Sequence, residues 1–84
     1  MPKITVKYRG HLTALTKIPE EVLEGADVEA ILRSIGKLYG RETAKTAGSM
    51  LIAVNGQSIL ILKRFKTTLK EGDVINFFPL CAGG

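Results

Sequence analysis

Val74-Ile75-Asn76-Phe77-Phe78-Pro79-Leu80-Cys81-Ala82-Gly83-Gly84 is the stretch on which the reading of this chain turns. Its first five residues are apolar and β-prone, and the proline that follows fixes its own φ and donates no hydrogen bond, so a strand over residues 74–78 ends there. Two glycines at a chain end ordinarily only fray. Here they follow a strand apolar enough for the middle of a sheet, so the tail leaves the body in a set direction. Alternation along the strand turns one of Phe77 and Phe78 into the core and the other outward. Phe77, Phe78 and Pro79 are therefore candidates for a partner interface at the root of the tail. The expected organisation is a domain over residues 1–79 and a flexible diglycine tail over residues 80–84.

Upstream, Lys70-Glu71-Gly72-Asp73 is a turn, with Leu69 plugging the core from a basic connector over residues 63–68. Asn55-Gly56 tolerates the two positive φ values of a type I′ hairpin. It links a strand over residues 50–54 to a returning strand over residues 58–62, apolar on both faces. Val28, Ile31, Leu32, Ile35, Leu38 and Tyr39 recur at helical spacing and form one apolar stripe. Asp27 serves as the N-cap of that helix and Gly40 as its terminator, with Gly36 off the stripe. Residues 41–49 are small and polar without a period and read as a loop. Lys3, Thr5, Lys7 and Arg9 alternate with Ile4, Val6 and Tyr8, which predicts a half-buried first strand with a basic outer face. Residues 15–23, interrupted by Pro19, read as an irregular edge strand folding back onto it. His11 has no neighbouring ligand or acid and reads as a loop residue.

The order is strand, strand, helix, strand, short strand, strand: an α+β layout with a mixed sheet covered by one main helix. A right-handed crossover through the helix places the first and last strands side by side and parallel at the sheet's centre. This is the β-grasp, or ubiquitin-like, arrangement, and it leaves the carboxyl terminus projecting from a central strand.

At 84 residues the chain is a single domain, close to the smallest size a core can support without staples. One cysteine and one histidine provide neither an internal disulfide nor a structural zinc site. Met1-Pro2-Lys3-Ile4 enters a strand at once, leaving no room for a signal peptide, and no apolar run matches a membrane span. A cytoplasmic protein is expected. The net charge is +4, with five of the eight acids (Glu20, Glu21, Glu24, Asp27, Glu29) in one ten-residue stretch, which reads as a solvated acidic surface. A pI near 9.5 raises nucleic-acid binding, but basic and aromatic residues are not interleaved on adjacent strands, so neither nucleic acid nor membrane is an expected partner.

No phosphate-binding glycine loop, nucleophile–histidine–acid set or distinctive acid pair is present in the sequence, so no intrinsic catalytic residue is assigned. The tail has its own chemistry in a free α-carboxylate. ATP can convert a carboxylate to an acyl adenylate, whose carbonyl carbon then accepts sulfur or an amine. Glycines suit this use because no Cβ obstructs entry into a narrow channel. Five extended residues reach roughly 17 Å from the body.

The opening strand from Ile4 to Tyr8, the helix from Asp27 to Tyr39, Ala53-Val54-Asn55-Gly56, Leu69-Lys70-Glu71-Gly72-Asp73-Val74, and Phe78-Pro79 leading to Gly83-Gly84 together resemble the ubiquitin-like sulfur carriers of the MoaD and ThiS type, more closely MoaD. The resemblance spans essentially the whole chain. It implies that Gly84 is adenylated by an E1-like enzyme (MoaB/MoeB/ThiF-like) using ATP and Mg, and then becomes a thiocarboxylate with sulfur from a sulfurtransferase. It implies no cofactor bound to this chain. In the MoaD case the tail Leu80, Cys81, Ala82 and Gly83 enters a channel of the large subunit of molybdopterin synthase, where sulfur passes to precursor Z.

Leu80 and Cys81 stand where the family pattern usually carries a second proline and a branched apolar residue. Related carriers serving thiamine, tRNA thiolation or tungsten cofactor therefore stay open, as does a modifier joined to lysines. Cys81 reads as a small apolar residue lining a partner's groove. The sharper alternative is thiol exchange near the terminus, which sulfur transfer unaffected by Cys81→Ser would eliminate.

Overall fold

The computed structural model describes residues 1–79, so the tail residues Leu80, Cys81, Ala82, Gly83 and Gly84 lie outside the described residues. Strands β1 (Lys3–Lys7), β2 (Glu20–Glu24), β3 (Leu51–Val54), β4 (Gln57–Ser58) and β5 (Val74–Phe78) form one sheet in the order β2-β1-β5-β3-β4. β1 and β5 are parallel neighbours at its centre, and the other pairs are antiparallel. This is the ubiquitin-like β-grasp, with the strand expected to carry the tail in the middle of the sheet.

Register sorts the side chains. Ile4, Val6, Leu23, Ile52, Val54, Ile75 and Phe77 point into the core, where they meet Val28, Ile31 and Ile35 of helix α2 (Val28–Tyr39). Asp27 caps α2 as expected, its Oδ1 accepting from Ala30 N–H at 2.8 Å. Leu38, counted in the apolar stripe from its spacing, is 56% exposed; Tyr39, the next residue, is the one that turns toward the sheet. Basic β1 lies against acidic β2, with Lys3 opposite Glu24 and Lys7 opposite Glu20. Two of the five clustered acids, Glu20 and Glu24, thus face lysines across the strands.

Three expected elements come out differently. Residues 15–23 are not one strand: His11–Thr16 form a short helix α1 that buries Leu12 and Thr16, and β2 begins only after Pro19. Leu12, Leu15 and Thr16 are spaced for a helix, and the carbonyl of Pro19 still accepts from Tyr8 N–H at 2.8 Å. His11 is accordingly the first residue of α1 rather than a loop residue. Residues 41–49 contain a third helix, α3 (Arg41–Gly48), which buries Thr43 and Ala47. Its buried face is made of small residues, so hydrophobic spacing does not reveal it; the same small side chains let it lie close to α2. Finally, the strand after the Asn55-Gly56 turn stops at Ser58. The Ser58 hydroxyl accepts from Leu60 N–H at 3.1 Å and starts a 3₁₀ turn over Ile59–Ile61 that buries only Ile59. The hairpin itself is as expected, with Asn55 and Gly56 at φ 51° and 85°.

Candidate functional site

β5 delivers the chain to the edge of the domain at Pro79, and the residues around that point fix how it leaves. Ile75 and Phe77 are fully buried, and the Phe77 ring stacks on Tyr8 with centroids 6.2 Å apart and planes 20° from parallel. Phe77 is therefore the inward member of the pair, and no partner touches its side chain while the domain is folded; its place among the interface candidates is corrected. Phe78 is the outward member. It stands opposite Leu51 on the open face of the sheet, half-buried, with the Arg9 guanidinium 5.2 Å from its ring centroid. Arg9 also donates to Asn76 Oδ1 at 3.3 Å, so its stem is held along the face that Phe78 and Leu51 share.

Pro79 is exposed and packs on Gly10. Gly10 has φ 61° and ψ −137°, a conformation that only glycine adopts readily, and it lets the backbone before α1 approach the proline ring. Proline's fixed φ on one side and a Cβ-free backbone on the other set the direction of the chain at residue 79.

Two polar clusters hold the two ends of β5, and neither was evident from the sequence. Glu21, one of the acids read as solvated surface, shares the core-facing side of β2 with its cross-strand neighbour Val6. Its Oε2 accepts from both the Tyr8 and Tyr39 hydroxyls, at 2.6 and 2.5 Å. Burial, followed by the hydrogen bond and negative charge of Glu21, pushes the Tyr39 hydroxyl up to about 12 and Tyr8 further in the same direction. Tyr39 meets Tyr8 edge to face, so α2, β2, β1 and β5 are tied together through Tyr8. The sequence signal was two tyrosines at inward positions, each requiring a partner for its hydroxyl.

The second cluster holds the other end of β5. Asn55 donates through Nδ2 to Asp73 Oδ1 and accepts through Oδ1 from Val74 N–H, both at 2.9 Å. Asp73 Oδ2 in turn accepts from Lys70 N–H at 2.8 Å. Asn55 thus pins the start of β5 as well as turning the hairpin.

No group of three or more histidine, cysteine, aspartate or glutamate side chains able to hold a metal ion occurs among the described residues. None of the helices described is long and apolar enough to cross a membrane. The geometry presents a central strand that ends beside a half-buried aromatic, Phe78, and the Arg9 guanidinium over its ring.

Residues 6–84 match the ThiS family, a span that begins within β1 and takes in every later element of the fold and the diglycine. The chain belongs to the ThiS family. It is thus a ubiquitin-like carrier of the ThiS and MoaD type. Among solved structures, this ThiS-family chain is similar to small archaeal modifier protein 1 of Methanosarcina acetivorans, with 28% identity, a TM-score of 0.88, and coverage of 100% of this chain and 98% of that one. A Pyrococcus furiosus protein assigned as molybdopterin converting factor, subunit 1, is 31% identical with a TM-score of 0.75, covering 94% and 98% of the two chains. A chain from the complex of subunits 1 and 2 of the Helicobacter pylori molybdopterin-converting factor is 25% identical with a TM-score of 0.66, covering 98% and 99%. No curated relative matches the chain by sequence.

Proposed function

We propose that this ThiS-family protein is a sulfur carrier in molybdopterin biosynthesis, with Gly84 as the atom-bearing residue. An E1-like enzyme uses ATP and Mg to join the Gly84 carboxylate to AMP, releasing pyrophosphate. The terminal sulfur of a sulfurtransferase persulfide then attacks the carbonyl carbon and AMP leaves; a second thiol attacks the inner sulfur of the resulting acyl disulfide, forming a disulfide and releasing the thiocarboxylate. Leu80, Cys81, Ala82 and Gly83 form the stem that passes through the partner's channel. Phe78, Pro79 and the neighbouring Leu51 and Arg9 form the collar that seats against the partner.

The observation that carries this reading is a central strand anchored by the buried Ile75 and Phe77 that ends at Pro79 against Gly10, in a chain whose family match runs on to the diglycine. The molybdopterin branch is favoured by similarity to subunit 1 of the converting factors of Pyrococcus furiosus and Helicobacter pylori. The second of these is in complex with subunit 2, the kind of partner proposed here. Deleting Gly83-Gly84 is expected to leave the fold intact and abolish acceptance of sulfur, read by intact mass after incubation with activating enzyme, ATP and a sulfur donor. Thiocarboxylation of the truncated chain would overturn the proposal.

A second reading is supported by the similarity to small archaeal modifier protein 1: conjugation of Gly84 to lysine side chains. The same adenylate serves, with an amine displacing AMP. Mass spectrometry separates the two outcomes, since a carrier shows one terminal oxygen replaced by sulfur and a modifier shows isopeptide adducts bearing this chain.

A further inference from the structure

The helical layer carries a surface that the tail does not use. α2 and α3 meet at Gly40, and an open groove of about 650 Å³ runs between them. Its apolar lining is Leu32, Gly36, Ala44 and Phe65; Phe65 is 42% exposed, and the methyl of Ala44 comes within 3.4 Å of where a Cβ on Gly36 would be. Its polar lining is almost wholly cationic: Arg33, Lys37, Arg41 and Lys45, spaced four residues apart along the two helices.

The single acid in the groove, Glu29, is already shared by Arg33 at 3.7 Å and Lys66 at 3.2 Å. Among the described residues, no carboxylate lies within 4.0 Å of Lys37, Arg41 or Lys45. Like charges at this spacing repel along a helix. An anionic occupant would relieve that repulsion while covering the apolar lining.

We propose that this groove docks an acidic amphipathic helix of a protein partner. One or two large apolar side chains enter between Leu32 and Phe65, over the close approach of Gly36 and Ala44, and carboxylates flanking them meet Lys37, Arg41 and Lys45. A nucleic-acid strand would leave the apolar lining uncovered. The groove shares no residue with the collar of Arg9, Gly10, Leu51, Phe78 and Pro79, and it lies on the helical side rather than the open face of the sheet. A partner can therefore hold the domain here while the tail occupies an active site elsewhere.

The test is titration of the intact, isotopically labelled chain with a synthetic helix of about 15 residues, leucine and phenylalanine on one face and glutamate elsewhere, followed by NMR. Saturable shifts are expected in α2, in α3 and around Phe65, with affinity falling about ten-fold between about 0.05 M and 0.5 M salt. The double variant Lys37→Glu/Arg41→Glu should weaken binding by about ten-fold or more, and Phe65→Ser should weaken it at every salt concentration. All three side chains are exposed, so these variants keep the fold. The proposal is overturned by absence of saturable shifts at millimolar peptide, by shifts centred on Phe78, or by undiminished binding of a peptide with glutamine for glutamate. Equal or tighter binding of the same residues to phosphatidylserine vesicles or to poly(U) RNA would also overturn it.

Discussion

A Cβ added to Gly10 would lie 3.1 Å from Cγ of Pro79, so a methyl group between the turn after β1 and Pro79 would push them apart by a few tenths of an ångström. Gly10 also has φ 61°, where an L side chain is strained. Gly10→Ala is expected to cost about 2–4 kcal/mol from backbone strain and overpacking together. Urea unfolding measures this. Combining Gly10→Ala with Pro79→Ala should recover the packing part and leave the backbone part. In protein that remains folded, acceptance of sulfur should fall, because Pro79 is displaced from its place against the turn after β1. A Gly10→Ala protein as stable as the parent would remove the argument that this contact sets the exit.

The tyrosine pair on Glu21 gives a prediction with a sign. The Tyr39 hydroxyl is raised from 10.0 to about 12 in the folded protein, and Tyr8 is raised as well, so folding favours their neutral forms. Their contribution is complete below about pH 10 and is lost as the pH rises through the folded values, because the unfolded chain releases these protons first. Urea midpoints should therefore fall more steeply above about pH 10 in the parent than in Tyr8→Phe/Tyr39→Phe, which lacks both titrating groups. Parallel curves would show that neither hydroxyl is perturbed. At neutral pH Tyr39→Phe alone should cost about 1 kcal/mol, since Glu21 keeps its bond from Tyr8.

Asn55 is expected to matter beyond its turn. Asn55→Ala removes two hydrogen bonds to the Asp73–Val74 segment and places alanine at φ 51°, which together cost about 2–3 kcal/mol. Asn55→Gly tolerates the φ and loses only the side-chain bonds, so it should fall between parent and alanine in chemical denaturation. If glycine matches the parent, the side chain does nothing but turn the hairpin.

The sheet, its parallel centre, helix α2 with its Asp27 cap and the Asn55-Gly56 turn were legible because each rests on a local rule: alternation, helical spacing, a capping side chain, positive φ. α3 was not, because its buried contacts are Thr43 and Ala47, too small and too weakly apolar to mark a face. The run Ile59, Leu60, Ile61 has the composition of a strand, yet the Ser58 hydroxyl turns it and leaves Leu60 and Ile61 exposed. Composition in a short apolar run does not fix the path of the backbone. At the site, alternation required one phenylalanine to face inward but could not say which. Register decided it, by placing Phe77 opposite Ile52 and Phe78 opposite Leu51.

That assignment separates the two phenylalanines experimentally. Phe77 is fully buried against Tyr8, so Phe77→Ala should cost about 3–5 kcal/mol, enough to unfold much of so small a domain. Phe77→Leu, at about 1–1.5 kcal/mol, keeps the protein folded and should leave partner affinity and sulfur acceptance near those of the parent. Phe78 is half-buried on the open face, and Phe78→Ala removes its contact with the Arg9 guanidinium for about 1 kcal/mol of stability. Its larger effect should be on binding: truncating an aromatic at the collar should weaken the complex with the activating enzyme by about ten-fold or more, read by calorimetry. Arg9→Ala should weaken it less, and the two losses should be non-additive because the cation holds its position over the ring. If Phe77→Leu weakens the complex and Phe78→Ala does not, the collar lies elsewhere and β5 serves the tail only as an anchor.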